Sequence, residues 1–316
     1  MTYSERTTYA LGTIIQFKLC GKNAEKAIEQ AIERVNDIDD KMSVFKEYSE
    51  IWNINMKAGS APQEVSPDTY FLLKKVLGYS ELSEGAFDPT IRPLVDLWGI
   101  GTSKEHIPEK AEIEEKLKLV NYKDVVLNEK ESSVMLRQRN QSLDLGGIAK
   151  GYAADEIRDI FIKNRIKSAL IDLGGNIFAL GKKIDGKNWR VGIQDPFRPR
   201  GEFAGIINVT NKSVVTSGNY EKYFISEDRR FHHIIDPRTG YPSESSIISA
   251  TIISDDSLEG DGLSTGIYIL DVDKALKLIE SREGIEAILI TENKNIFATS
   301  GIIDEYRKCF RNVKED

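Results

Sequence analysis

The 316-residue chain is poor in the residues that most often declare a function. It has two cysteines, Cys20 and Cys309, near opposite ends and in no C-x-x-C pair, so neither a disulfide framework nor a zinc site can be read from them. Three histidines are too few for a histidine-rich metal cluster. No run approaches the roughly 18 apolar residues a membrane span needs, so no membrane span is expected. The start, Met-Thr-Tyr-Ser-Glu-Arg, is polar and is not a signal peptide, and Cys20 lacks the apolar run that would precede a lipid-anchor cysteine. As written the chain reads as cytoplasmic; the alternative is an extracytoplasmic protein whose export segment lies outside the sequence given. A basic surplus is also missing. The net charge is −7 with both signs mixed along the chain, which argues against a general nucleic-acid binder. A phosphorylated ligand would then need local help from a metal ion or from backbone amides.

What is present is an ordinary globular composition. The 12 Phe, 12 Tyr and 3 Trp are enough for a sizeable core. Ala10 to Leu19 reads as a strand. Asn23 precedes a helix whose apolar stripe is Ala24, Ala27, Ile28, Ala31, Ile32, Val35 and Ile38. Ser66-Pro67 opens a second helix, with Ser as N-cap and Pro in the first turn, and Pro108 to Leu119 gives a third, more charged one. The middle carries a β-α-β pattern: a strand ending at Leu145, a helix from Ala149 to Lys163 and a buried strand from Ser168 to Leu173, each strand followed by Gly-Gly. Strand-like runs alternate with turns from Trp189 to Thr216. Strands are expected at Ile247 to Ser254 and Ala287 to Thr291, with a helix from Leu258 to Leu270 and another opening at Asp271. No linker divides the chain, so a single α/β or α+β unit over residues 1–316 is expected.

Four segments carry possible chemistry. In Asp261-Gly-Leu-Ser-Thr265 a carboxylate and a hydroxyl four residues apart share one helix face. Both are hard oxygen donors and suit Mg²⁺, which takes few protein ligands; the plainer reading is a first-turn Asp near free helix amides. In Leu143-Asp144-Leu-Gly-Gly147-Ile-Ala-Lys150 the glycines let backbone approach a ligand, and a helix start with a lysine could meet an anion. The spacing fits neither a G-x-x-x-x-G-K-[ST] nor a G-x-G-x-x-G loop, and a tight connection explains it equally well. Gly85-Ala86-Phe87-Asp88-Pro89-Thr90 is a turn with an aromatic exposed beside an acid, able to grip a flat polar ring or simply to turn. His233 precedes the strong turn Asp236-Pro-Arg-Thr-Gly240, and its neighbour His232 should point to the opposite face. A lone histidine there is more often structural than catalytic.

Taken together and in order, these segments resemble the FAD:protein FMN transferase family, the flavin transferases once called thiamine-biosynthesis lipoproteins. The resemblance is carried by Ala10-Leu-Gly-Thr13; Met42-Ser-Val-Phe45 with Ser49-Glu-Ile51 and Asn55; Gly85 to Thr90; Leu143 to Ala153; Ile171-Asp-Leu-Gly-Gly-Asn176; Val215-Thr-Ser-Gly218; His233 to Gly240; and Asp261 to Thr265. It implies a fold of the family's own α/β (α+β) kind, related to T-fold enzymes, with FAD in a cleft between two halves. It implies Mg²⁺ held by Asp261, Thr265 and the Gly147 carbonyl, and FAD contacts from Leu11, Phe45, Ala86, Phe87, Asp88, Asp144 and Lys150. Many members that transfer flavin carry tyrosine where Phe45 stands, and phenylalanine keeps the ring for stacking. The implied reaction moves FMN from FAD to a threonine hydroxyl of an acceptor with an FMN-binding domain and a Ser/Thr-Gly-Ala-Thr-like motif, releasing AMP. Asp144 and His233 are the catalytic candidates; an imidazole near its normal pKa could take the hydroxyl proton. Two rivals stand beside this reading: a Mg²⁺-dependent FAD pyrophosphatase, and a non-catalytic flavin carrier.

Overall fold

The computed structural model describes residues 2–302; Cys309 lies outside them. The chain begins with a hairpin, β1 (Ser4–Ala10) and β2 (Thr13–Cys20), followed by α1 (Ala24–Met42), α2 (Glu50–Met56), the short β3 (Gln63–Glu64), α3 (Pro67–Leu82), α4 (Arg92–Trp98) and α5 (Lys110–Leu117). Then come β4 (Val125–Asn128), β5 (Ser133–Leu136), α6 (Ala149–Lys163), β6 (Ser168–Leu173), β7 (Asn176–Leu180), β8 (Trp189–Gln194), β9 (Phe203–Val209) and β10 (Lys212–Gly218). The remainder is β11 (Tyr223–Ser226), β12 (Arg229–His232), β13 (Ile247–Ser254), α7 (Ser257–Ile269), α8 (Val272–Glu280), β14 (Glu286–Thr291) and β15 (Ile296–Ala298).

The main sheet has eight strands in the order β1-β2-β6-β7-β10-β13-β14-β15, paired antiparallel throughout. Its central strands β7, β10, β13 and β14 have no exposed position, whereas the edge strand β1 is mostly exposed. One face lies under α1, α6 and α7; here Ile15, Phe17, Ile28, Val35, Phe161 and Ile267 form the largest core. The other face is covered by the β8–β9 hairpin, where Trp189, Val191 and Ile207 meet Val214 and Ile288. A satellite core of Leu94, Trp98, Ile113, Phe231 and Ile235 joins α4 and α5 to the separate β11–β12 hairpin. The mixed helix-and-sheet class expected from the sequence is the class observed, and α6, β6 and β13 fall on their expected bounds.

Three local expectations are corrected. The N-terminal strand is a hairpin: Leu11 and Gly12 form a two-residue turn, both at positive φ (52° and 70°), the form that matches strand twist. The β-α-β pattern lacks its first strand. Residues 142–145 pair with no neighbouring strand; instead the Asn55 side chain closes both polar groups of Leu143 (3.0 and 2.7 Å), and the Asp144 N–H donates to the Pro89 carbonyl. Finally, Ser66 precedes α3 without capping it, because its hydroxyl donates to Glu50 at 3.0 Å.

Candidate functional site

The seam between α6 and α7 is the centre of the candidate site. Gly151 and Asp155, one turn apart on α6, meet Asp261 and Ser257, one turn apart on α7. The Gly151 N–H donates to Asp261 Oδ2 at 2.8 Å, and the two Asp155 oxygens accept the N–H groups of Ser257 and Leu258, both at 2.8 Å. This approach is why residue 151 is glycine: a Cβ there would stand 2.5 Å from the Ser257 carbonyl oxygen and 2.6 Å from the Asp261 Cβ. Asp261 lies in the second turn of α7, so it does not hold its own helix's free amides as the plainer sequence reading had it. Burial pushes its pKa up, against the opposing pull of Lys150, the Gly151 N–H and Asn176. The Lys150 ammonium sits 3.8 Å from Asp261 Oδ2 and donates to the Gly146 carbonyl at 3.0 Å.

Gly147 and Thr265 close this end. The Thr265 hydroxyl is 3.8 Å from where a Gly147 Cβ would be, and it has a long 3.3 Å contact to the Ser217 hydroxyl of β10. Because the Gly151 N–H turns to Asp261, the Gly147 carbonyl is left without a donor among the described residues. The Nδ2 of Asn176 is also buried without a full hydrogen-bond partner. One buried carboxylate, one hydroxyl and one bare carbonyl are hard oxygen donors, and a buried acid with so little compensation favours a cation beside it. No group of three or more His, Cys, Asp or Glu able to hold a metal exists among the described residues, so a soft or carboxylate-rich site is not on offer.

The Gly85–Thr90 segment serves this centre from beneath. Phe87 and Asp88 are buried, at 6% and 7% exposure, where an aromatic exposed beside an acid was expected. The Phe87 ring packs against Gly147, and its Cβ faces Gly266. Asp88 uses Oδ1 for the Thr90 N–H and hydroxyl and Oδ2 for the Tyr122 N–H, so its oxygens are taken by its own chain. Burial pushes its pKa up. Ala86 is likewise buried.

A second end is exposed. Leu11, at the hairpin tip, donates its N–H to Asp39 Oδ1 at 3.2 Å, and Asp39 Oδ2 pairs with Lys46, next to Phe45. The Phe45 ring is 80% exposed, and the Arg92 guanidinium lies 4.7 Å from its centroid. Arg92 also donates to Asp144 Oδ2 at 3.2 Å, while Asp144 Oδ1 accepts the Gly146 N–H at 2.8 Å. Leu11, Phe45, Asp144, Gly146 and Lys150 are thus linked in one chain of contacts that runs to Asp261.

His233 and His232 diverge as strand alternation requires. His232 Nε2 faces the Ser243 carbonyl at 3.0 Å, its Nδ1 accepts the Ile234 N–H, and its ring meets Tyr268 edge-on. His233 Nδ1 faces the Lys222 carbonyl at 3.2 Å. A carbonyl can only accept, so Nδ1 carries the proton and Nε2 offers a lone pair. The expectation of a normal imidazole pKa is corrected: burial lowers His233 to about 4, and the positive charges of Lys222 and Lys150 act in the same direction. The Asp236–Gly240 turn forms as expected, with Gly240 N–H bonded to the Asp236 carbonyl and Arg238 paired to Asp236 at 2.7 Å.

A cavity of about 650 Å³ opens beyond this turn, between Arg229, Arg238, Tyr241, Ser245 and Asp271, and none of the expected site residues lines it. Sequence reasoning passed over Arg92, Asp155, Asn176 and Ser217. Asn176 and Ser217 stood inside recognised segments; Asp155 lay two residues beyond one, and Arg92 carried no signal. No helix among the described residues is long and apolar enough to cross a membrane.

The model of the ApbE family matches residues 11–289. An FAD:protein FMN transferase of Klebsiella pneumoniae is 37% identical over 92% of this chain and 90% of its own length. One from Treponema pallidum is 34% identical over 96% of this chain and 88% of its own. A crystal structure of the ApbE protein from Thermotoga maritima is 33% identical and superposes with a TM-score of 0.88, covering 96% of this chain and 99% of that one.

Proposed function

This chain belongs to the ApbE family, and from that membership we propose that it is an FAD:protein FMN transferase that moves FMN from FAD to a threonine hydroxyl of an acceptor protein and releases AMP. The observation that carries the reading is the convergence of the buried Asp261, the Thr265 hydroxyl and the bare Gly147 carbonyl beside Lys150. This donor set would hold Mg²⁺, which supplies neutralising charge to a pyrophosphate when bound. Lys150 adds a positive charge at the same place, in a chain of net charge −7. The threonine oxygen forms a bond to the FMN-side phosphorus, and the bond from that phosphorus to the bridging oxygen breaks. The oxygen leaves with AMP, and the hydroxyl proton passes to a base. His233 is that base, through the lone pair on Nε2. Leu11 and Phe45 bracket the flavin, Asp144 and Lys150 give polar contacts, and the buried Ala86, Phe87 and Asp88 shape the floor against Gly147.

The acceptor is a flavoprotein whose FMN-binding domain carries a Ser/Thr-Gly-Ala-Thr-like motif. Incubating the chain with FAD, Mg²⁺ and such a domain should give an FMN-sized mass increase on the motif threonine together with AMP. Rapid AMP and free FMN without an acceptor would make the protein a pyrophosphatase instead, and FAD binding with no AMP under either condition would make it a carrier.

A further inference from the structure

Phe45 is a large apolar ring held in solvent, yet its loop is fixed. Its N–H donates to the Ser43 hydroxyl, the Ser49 hydroxyl donates to the Ser43 carbonyl, and Lys46 bridges Asp39 and Asp40. The ring has one partner that sequence gave no hint of. Arg92, the first residue of α4, places its guanidinium 4.7 Å from the ring centroid while its own side chain is only 13% exposed. One terminal nitrogen of the guanidinium pairs with Asp144 and the other with Asp96. A guanidinium is flat, permanently charged and stacks on aromatic faces, so it can do both at once where an ammonium cannot.

We infer that Arg92 is a positioning residue that makes the site selective for a ligand bearing a flat flavin ring. This rests on the flavin reading above and adds to it. With the Arg92 guanidinium over one face of Phe45, the opposite face is left for a stacked ring. Because the same guanidinium holds Asp144, the stacking surface and the polar contact are set in one geometry before the ligand arrives. Such preorganisation lowers the ordering cost of binding. It acts only on ligands that use the Phe45 face: a nucleotide such as ADP, which shares the adenine half of FAD but lacks the flavin, gains nothing from it.

The test is a pair of variants, Arg92→Met and Arg92→Lys, each titrated with FAD by flavin fluorescence and with ADP by calorimetry. Arg92→Met keeps length and loses both stacking charge and ion pair; Arg92→Lys keeps a cation for Asp144 and loses the flat group. Expected is about a tenfold loss of FAD affinity in Arg92→Met, the scale of a partly desolvated cation–π contact. Arg92→Lys should recover only part of it, and ADP affinity should be unchanged in both. In transfer assays the KM for FAD should rise while kcat holds. FAD affinity equal to wild type in Arg92→Met, or equal losses for FAD and ADP, would overturn the inference and leave the proposed function standing. A wild-type chain that binds no FAD would remove the flavin reading, and this inference with it.

Discussion

The two ends of the candidate site are built in opposite ways. At the α6–α7 seam the groups are buried, the backbones are close enough to exclude any side chain at residue 151, and burial outweighs the groups that compensate the Asp261 carboxylate. At the Phe45 end the ring is in solvent, and its place is fixed by charged side chains: Lys46 on Asp39 and Asp40, and Arg92 on Asp144. The buried end resists change, and its buried Asp261 carboxylate carries a desolvation cost that a cation beside it would relieve. The Phe45 ring adds little to folding because it buries almost no apolar area, while the ion pairs beside it are half-buried. Burial is thus concentrated at the seam, and exposed aromatic surface at the Phe45 end. Substitutions at the two ends should therefore separate activity from stability in different ways.

The largest effect is expected at the buried end. Asp261→Asn keeps an oxygen for the Gly151 N–H and removes the charge. Transfer should fall by more than about 10³-fold, beyond the loss of one neutral transition-state donor. Without metal the variant should melt no lower than wild type, because an undercompensated buried charge has been removed. Added Mg²⁺ should raise the wild-type melting temperature by binding the folded state, and leave the variant's unmoved. Equal Mg²⁺ stabilisation of both proteins would sink the metal assignment and, with it, the contrast between the ends.

His233 gives the second test. His233→Ala should slow transfer by about 10²–10⁴-fold, the range for one acid–base group, with little change in FAD affinity. The imidazole is the base only when neutral, and its pKa is lowered from 6.5 to about 4. The wild-type rate should therefore stay flat from neutral pH down through 6 and fall as pH approaches 4, and that acid limb should vanish in the variant. The same depressed pKa is a stability term: a histidine held neutral contributes stability above 6.5 that is lost as pH falls through about 4. An acid limb near 6.5, or one that survives in His233→Ala, would take His233 out of the reaction.

How far each end could be read from sequence follows from the same contrast. The seam was legible in part: i, i+4 spacing puts Asp261 and Thr265 on one face whatever surrounds them, but the close helix approach that requires Gly151 was not read. Periodicity likewise placed α6, β6 and β13. Burial was harder to see. Phe87 looked exposed because a Pro-containing turn reads as surface, and only its packing on Gly147 reverses that. The missing first strand of the β-α-β pattern was hidden for a related reason: its backbone groups are closed by Asn55, far away in sequence. The Leu11 turn escaped notice because leucine is an unusual occupant of positive φ. Arg92 was invisible because its role depends on two partners, Phe45 and Asp144, that lie 47 residues before it and 52 after it.

The smallest effect on the fold, and the sharpest test of the contrast, is expected from Phe45→Ala. If the ring stacks on the isoalloxazine, its loss should weaken FAD binding by roughly 1–3 kcal/mol, using base–aromatic stacking as the analogue. The ring is 80% exposed, so truncating it removes almost no buried apolar area, and stability should change by no more than about 0.5 kcal/mol, the range for surface sites. The ring's contact with Arg92 does not alter this, because Arg92 keeps Asp144 and Asp96 as partners when Phe45 is gone. Parallel FAD titrations and melting curves decide the matter. A melting temperature that drops in step with FAD affinity would mean that Phe45 works through the fold, as the α6–α7 seam does, and the division into a rigid phosphate end and an open ring end would be lost. A large affinity loss at constant melting temperature places the ring on the ligand and nowhere else.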